Sequence, residues 1–240
     1  MKIVPLKTPI IQPNASLTEV IAAAIHVLPE RSIVVVTSKI VALAQGRVVT
    51  NGPGEKTRWI KRESEQAFRT KWCYLTLKDG HWCPNAGIDE SNADGKLILW
   101  PRDPYRAARE LRRFLRQHYR RQRVGVLITD SRTFPLRAGV TGVALGYAGF
   151  GGLRSYIGRP DLFGRPLKMT RTNVADTLAS AAVLMMGEGS EQTPLALVTD
   201  APVRFTDRRV DPTELRIAPD DDMYKKLFEG YKRKKRKKHG

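Results

Sequence analysis

The chain has 240 residues, 41% of them hydrophobic, and its 42 lysines and arginines outnumber 24 acids to give a net charge of +18. That length carries one large domain or two small ones with real cores. The composition is globular, and no apolar run approaches the length needed to span a membrane. Two cysteines, Cys73 and Cys83, are too few for a disulfide scaffold. They read as free thiols, and the opening Met1-Lys2-Ile3-Val4-Pro5 has too little apolar length for a signal peptide, so a cytoplasmic protein is expected. Residues 232–238 are seven consecutive cations, and the remainder still sums to +11 (18 less 7). Such a tail is an ordinary solvated end or a non-specific contact to nucleic acid or another anionic surface.

In chain order, residues 3–11 predict a short strand and a proline-bounded loop. Ser16-Leu17-Thr18-Glu19 is a capping box that starts a helix over 17–27, with Val20, Ile21, Ala24 and Ile25 inward. Residues 32–36 form a continuous apolar run, the pattern of a strand buried on both faces. A short helix over 40–44 ends at Gly46, and Arg47-Val48-Val49 follows. After the loop Asn51-Gly52-Pro53-Gly54, residues 56–69 are charged and helix-permissive. Residues 72–77 and 81–86 predict a hairpin about Asp79-Gly80 that leaves Cys73 and Cys83 out of register, and 97–100 predict another strand.

Asp103-Pro104 begins a strong helix, an N-cap followed by proline at the first position. Its apolar stripe is Ala107, Ala108, Leu111, Phe114, Leu115 and His118, and its other face carries Arg106, Arg109, Arg112, Arg113, Arg116 and Arg120. Residues 124–129 predict a fully buried strand. The glycine-rich stretch 139–152 is apolar between its glycines, which favours close backbone approach over a linker. A strand over 167–172, a helix over 174–186 with Leu178, Ala181, Ala182 and Met185 on one side, and a strand over 195–199 complete the core. From Asp211-Pro212 the pattern is irregular. Interleaved strands and helices give an α/β class, or mixed α+β with a mixed sheet.

Four polar islands sit where strands or helices end: Thr37-Ser38-Lys39, Asn85 to Asn92, Thr129-Asp130-Ser131 and Met186-Gly187-Glu188-Gly189. Polar groups at strand ends gather around a cleft. Asp89, Asp130 and Glu188 are the acids such a cleft would use to hold a hard cation against phosphate oxygens. Each also has a plain structural reading: an Asx-turn at Asp89, a cap at Asp130, and a loop acid beside a C-cap glycine at Glu188. Arg137, Arg154, Arg159, Arg165 and Arg171 are available to neutralise phosphates or a carboxylate. The sequence has no Walker motif, Rossmann fingerprint or zinc-type cysteine spacing, and His26, His81, His118 and His239 form no ligand pattern.

Taken in order, these islands, together with Gly158-Arg159-Pro160-Asp161-Leu162-Phe163-Gly164-Arg165-Pro166-Leu167 and Val174-Ala175-Asp176, resemble the coenzyme F420-0:γ-glutamyl ligase (CofE-like) family over residues 3–200. The resemblance implies an unusual mixed α/β fold with largely antiparallel sheets and flanking helices, and a homodimer. Residues 1–205 would be the ligase domain, as one unit or two interleaved subdomains, and 206–240 a C-terminal extension ending in the basic tail. It also implies a GTP-dependent (or ATP-dependent), Mg2+- or Mn2+-dependent ligase that adds L-glutamate to a small-molecule carboxylate acceptor. GTP would phosphorylate the acceptor carboxylate, and the glutamate amine would attack the acyl phosphate.

By motif, Asp89 and Asp130 match catalytic positions, and Asp89, Asp130, Ser131 and Glu188 match metal positions. The nucleotide would contact Thr37, Ser38, Lys39 and Asn92, the loop at Met186, Gly187, Glu188, Gly189 and Ser190, and the segment Leu6, Lys7, Thr8 and Pro9. The sequence departs from the family pattern at Leu43, where a phosphate-binding lysine is expected, at Thr133-Phe134 in place of Gly-Arg, at Thr177 in place of an acid, and in a shorter segment between Arg47 and Trp72. A folate-type acceptor, or a catalytically weakened member that binds nucleic acid, are the alternatives.

Overall fold

The computed structural model describes residues 1–227; the basic tail at 232–238 lies outside the described residues. The core is a five-stranded sheet. Its strands are β1 (Lys2–Leu6), β2 (Ile33–Thr37), β8 (Gly125–Arg132), β9 (Thr141–Ala148) and β12 (Leu195–Thr199), in the order β1-β12-β2-β8-β9. Only β2 and β8 pair in parallel, from Ile33↔Gly125 to Thr37↔Thr129; the other neighbours are antiparallel. Both faces are covered, so Ile33, Val34, Val35 and Val36 are all fully buried, as a strand without polar alternation must be.

On one face, helices α1 (Leu17–Ala24), α2 (Ser38–Ala44) and α4 (Pro104–His118) bury Ile21, Ile40, Leu111 and Leu115 against Val34, Val36, Val126 and Ile128. On the other, α5 (Val174–Met186) lays Ala175, Leu178, Ala179 and Ala182 against Val35, Leu127 and Ala196. The small residues of α5 let it sit close to the sheet. The glycine-rich stretch becomes β9, and close approach is its role: a Cβ at Gly146 would fall 2.6 Å from the Pro104 carbonyl carbon.

A second, smaller lobe is inserted between α2 and α4. It contains the ribbon β3 (Val48–Thr50) with β7 (Lys96–Ile98), helix α3 (Glu55–Glu63), and the sheet β4 (Gln66–Arg69), β5 (Tyr74–Lys78) and β6 (His81–Pro84). It has its own core of Ile60, Ala86, Ile88, Leu97 and Leu99. Cys83 lies opposite Thr76, so the two cysteines remain free as the hairpin register predicts. A last short pair, β10 (Leu153–Ser155) with β11 (Arg171–Asn173), leads into α5. Among the described residues, no helix is long and apolar enough to cross a membrane.

Several boundaries differ from the sequence expectation. Helix α1 stops at Ala24, since Ile25 turns extended to bury its side chain. The helix-permissive run 56–69 splits after Glu63, where the Ser64 hydroxyl donates to the Ile60 carbonyl at 2.6 Å and the chain is recruited to pair with β5. Residues 167–170 are loop rather than strand, because Leu167 spends its backbone bonds locally on Gly158 and Arg159, both at 2.8 Å. The inward face of α5 is turned from the expected one: Met186 is buried, while Met185 is half exposed. On α4, Tyr105 joins the buried set and His118 is exposed, stacked on Phe114.

One polar knot ties the small lobe together. Glu63, at the end of α3, accepts from Lys78 at 2.6 Å and from Arg47 at 2.7 Å, with all three side chains at most 14% exposed. Burial raises the Glu63 carboxyl, but the Lys78 and Arg47 bonds outweigh it and hold the carboxyl below its ordinary value. A depressed carboxyl contributes stability that is present above the unfolded-state pKa and lost as the pH falls through the folded one. Urea denaturation from pH 7 to pH 3 should therefore show this contribution fading on the acid side in the wild type. Glu63→Gln leaves two buried cations short of a partner; it should cost about 3 kcal/mol at pH 7 and flatten that acid-side slope.

Candidate active site

The carboxyl ends of the parallel strands β2 and β8 open on a cleft of about 950 Å³ between the main sheet and the small lobe. That is where an open α/β sheet places a ligand, since chains diverge at that edge and leave a crevice. Five separate segments line it. After β1 come Thr8 and Pro9; after β2 come Thr37, Ser38 and Lys39; from the small lobe come Asp89 and Asn92; at the end of β8 come Thr129, Asp130 and Ser131; after α5 come residues 186–194.

Local geometry presents these side chains. Strand β2 passes directly into α2 at Ser38, so the polar island sits on the turn between strand and helix. The register shifts between Ile128↔Gly146 and Thr129↔Ala144, so Leu145 of β9 is the extra residue of a bulge just before the Asp130–Val143 pair, the kind of irregularity that adds twist and re-aims a strand end. Asp89 is fixed by a two-way backbone pairing with Ile98, at 3.0 and 2.9 Å. The two lobes are latched across the cleft: Asn92 Nδ2 donates to the Gly189 carbonyl at 3.2 Å, and Thr8 N–H donates to Gln192 O at 3.1 Å within the main lobe.

Five acids line this cleft, Asp89, Asp94, Asp130, Glu188 and Glu191, and the three expected from sequence each have a different partner. Asp89 accepts from Lys39 Nζ at 2.8 Å and from Ser91 N–H at 2.7 Å, the latter an Asx-turn as its sequence context allows. Burial raises its carboxyl, but the Lys39 bond and charge, with the Ser91 bonds, bring it below its ordinary value. Asp130 is bound by Trp100 Nε1–H and, at 2.8 Å, by Ser131 N–H. Burial dominates there; opposed by those two bonds and reinforced by the charges of Asp89 and Glu188, it lifts the Asp130 carboxyl to about 6. Glu188 accepts from the Ser131 hydroxyl at 2.5 Å, beside the C-cap Gly187.

The expectation that Asp89, Asp130 and Glu188 share one coordination sphere is not met in this arrangement. Among the described residues, no three histidine, cysteine or acidic side chains stand close enough to hold one ion. Lys39 draws Asp89 aside by a direct ion pair, whereas Ser131 links Asp130 to Glu188. A pair of carboxylates with a hydroxyl is nonetheless a hard-oxygen donor set of the size magnesium or manganese uses alongside phosphates and water. The fit has two further supports. Burial foremost, and then the charges of Asp89 and Glu188, raise Asp130, and a cation would relieve that repulsion among the acids. The Thr129 hydroxyl, buried at the cleft, has no hydrogen-bond partner among the described residues.

Other expected positions fall elsewhere. Leu6 packs into the core beside α1 and Lys7 points to solvent; only Thr8 and Pro9 of that segment reach the cleft. Arg137, Arg154, Arg159, Arg165 and Arg171 do not line it; Arg154 donates to the Pro202 carbonyl and Arg159 lies over the Tyr156 ring. Leu43 does line it, packed with Ala42, Ala93 and Ile98, so an apolar wall stands where a lysine was expected. Phe134 lies under Arg132 and Thr177 caps back onto Asn173 O at 2.6 Å, both away from the cleft.

Trp100 is the residue the sequence reading passed over. An indole N–H donates only and must find an acceptor when buried, and an apolar run ending in Trp beside a polar cleft was the available signal. Its position depends on Gly87, which has φ +68° and lies so close to the indole that any Cβ there would overlap it. Trp100→Phe keeps the ring and removes the donor. It should cost about 1–3 kcal/mol in thermal or urea unfolding, and nuclear magnetic resonance titration of Asp130 should show its carboxyl moving further upward.

Comparison with known proteins adds the following. A family model described as F420-0:Gamma-glutamyl ligase matches residues 5–200. A coenzyme F420:L-glutamate ligase of Methanococcus maripaludis is 32% identical over 86% of this chain and 91% of its own length. Proteins of the same name from Methanopyrus kandleri and Archaeoglobus fulgidus are 37% and 34% identical, over 78% and 79% of this chain and 81% and 83% of theirs.

Proposed function

The chain belongs to the F420-0:gamma-glutamyl ligase family, and on that premise we propose that it joins L-glutamate to a carboxylate of an F420-0-like acceptor, using GTP or ATP and a divalent metal. The observation that carries this reading is the cleft itself: hydroxyl, ammonium and carboxylate groups from five separated segments face one cavity at the ends of the parallel strands. Its volume suits a nucleotide and an acceptor together better than a single amino acid.

The chemistry proceeds in two displacements. The acceptor carboxylate attacks the terminal phosphorus of the nucleotide, giving an acyl phosphate and the nucleoside diphosphate. The glutamate amine then attacks the acyl carbon; the new C–N bond forms, inorganic phosphate leaves, and the amine gives up its proton. Such transfers ask the protein for position and charge more than for covalent chemistry. Of the two lysines that line the cleft, Lys39 and Lys96, Lys39 holds its ammonium among the acids: shared by Asp89 and the Ser91 hydroxyl at 3.0 Å, it is placed to turn onto a phosphate. Thr37, Ser38, Asn92 and the segment Met186, Gly187, Glu188, Gly189 and Ser190 supply uncharged and backbone contacts around the nucleotide. Asp130, Ser131 and Glu188, with Asp89 at their edge, would hold magnesium or manganese, which when bound supplies the positive charge that neutralises phosphate oxygens. The apolar wall at Leu43, Ile40 and Ile98 takes the flat or apolar part of a ligand rather than a phosphate.

Isothermal titration with GTP or ATP and manganese should give a binding heat that disappears when the metal is omitted; no heat with either nucleotide counts against the reading. Lys39→Ala should weaken the nucleotide by roughly tenfold or more, the value of one charge-assisted bond. Asp130→Asn should abolish manganese-dependent glutamate incorporation while leaving the fold intact by circular dichroism.

A further inference from the structure

A second concavity lies far from the cleft in the chain's architecture. The cleft sits at the end of β8 that carries Asp130, whereas this cavity sits beside the residue that precedes β8, Val124, and the turn after β9. It encloses about 510 Å³. Its wall is the second face of α4: Arg109, Arg112, Arg113 and Arg116 recur at i, i+3, i+4 and i+7 and so stack along one side of the helix. The opposite wall is the C-terminal extension, with Arg208 and Arg209, and the floor is Ala148 and Gly149.

The cavity is built rather than incidental. Arg112, with its side chain 13% exposed, is anchored by its Nε–H to the Val124 carbonyl at 2.8 Å and by a 2.5 Å pair to Asp207. Arg116 reaches the same Asp207 oxygen at 3.2 Å and holds Gln122 Oε1 at 2.8 Å. Asp207 is the one acid on the lining; the arginines lower its carboxyl from the ordinary value, the Arg112 bond foremost. It shows where an anion sits in this cavity. Three further guanidinium groups, of Arg109, Arg113 and Arg209, have no ion pair or side-chain hydrogen bond among the described residues. Cations gathered around a concavity with one internal anion repel one another, and that repulsion is relieved by a bound anion.

We propose that this arginine-walled cavity, formed between α4 and the C-terminal extension, is a second binding site for a compact polyanion, a small molecule bearing two or more clustered phosphate or carboxylate groups. The planar fork of arginine suits such oxygens and holds them in pairs. The volume lies within the range of small-molecule sites. The arginines converge on a hollow instead of running along a ridge, which selects a compact ligand over an extended nucleic-acid strand, whose backbone is tracked by a groove or stripe. The site does not depend on the reaction proposed for the cleft.

The test is titration calorimetry of the full chain with inorganic tripolyphosphate and, separately, citrate, on protein stripped of divalent metal and dialysed free of chelator, so that the cleft's carboxylates repel the probes and no other polyanion competes. One of the two should bind with sub-millimolar affinity that weakens as salt is raised, and the tighter one identifies phosphate or carboxylate as the natural group. Arg113→Glu and Arg209→Glu, both at exposed positions, should each weaken binding at least tenfold, with Arg113→Ala as a milder variant should charge reversal disturb folding. A chain lacking residues 232–238 should keep wild-type affinity. The proposal is overturned if neither probe binds, if the arginine variants bind as well as wild type, if binding is lost with the tail, or if a single-stranded RNA binds more tightly than both probes with the same arginine dependence.

Discussion

The parallel pairing of β2 with β8 is the constraint on which the rest of the molecule depends. In a sheet whose other neighbours are antiparallel, it alone sets the carboxyl-terminal ends of two adjacent strands side by side, with Thr37 directly beside Thr129. Antiparallel neighbours would carry those ends to opposite edges. Because the pair is buried on both faces, its register is held by packing of Val34, Val36, Val126 and Ile128 on one side and Val35 and Leu127 on the other. A slip of one residue would turn every one of these side chains to the wrong layer. The polar islands at 37–39 and 129–131 are therefore positioned by hydrophobic packing that never touches the cleft.

The small lobe closes what the strand ends open. Its contribution to the cleft, Asp89 and Asn92, stands on a segment tied to β7 by backbone bonds and to the main lobe by Lys39–Asp89 and Asn92–Gly189. These latches cross between lobes with separate cores. Trp100 joins the same boundary from beneath, held against Asp130 and backed by Gly87. Charge is distributed unevenly around the molecule as a result: acids concentrate at the cleft, and arginines concentrate along the exposed side of α4 and the extension that packs on it. The high net charge of the chain is thus not a uniform coat.

The segments with strong local signals were legible without coordinates. The capping box at Ser16, the Asp103-Pro104 start of α4, the apolar runs of β2 and β8 and the helix over 174–186 all appear where their patterns place them. Positions that depend on a distant partner were not. Residues 66–69 have the charge of a helix but take strand form because β5 offers an edge. Met185 and Met186 are chemically alike, and only the tilt of α5 on the sheet decides which is buried. The five arginines expected to neutralise phosphates lie outside the cleft, Arg154 and Arg171 on the β10–β11 ribbon and the others on loops, where the local pairing of each segment places them.

By itself, the order of motifs along the chain determined the family and the identities of the groups that meet: the hydroxyls at 37–38, Lys39, and the acids at 89, 130 and 188. Residue type and local spacing are enough for that, since chemistry is written in the side chains. How those groups divide their partners was decided only by tertiary structure. Lys39 takes Asp89, Ser131 bridges Asp130 to Glu188, and Trp100 claims Asp130. Each of these interactions joins residues separated by 30 or more positions, apart from the Asp130–Ser131 backbone bond. Distances of that kind follow from how two cores pack against each other, which no local pattern contains.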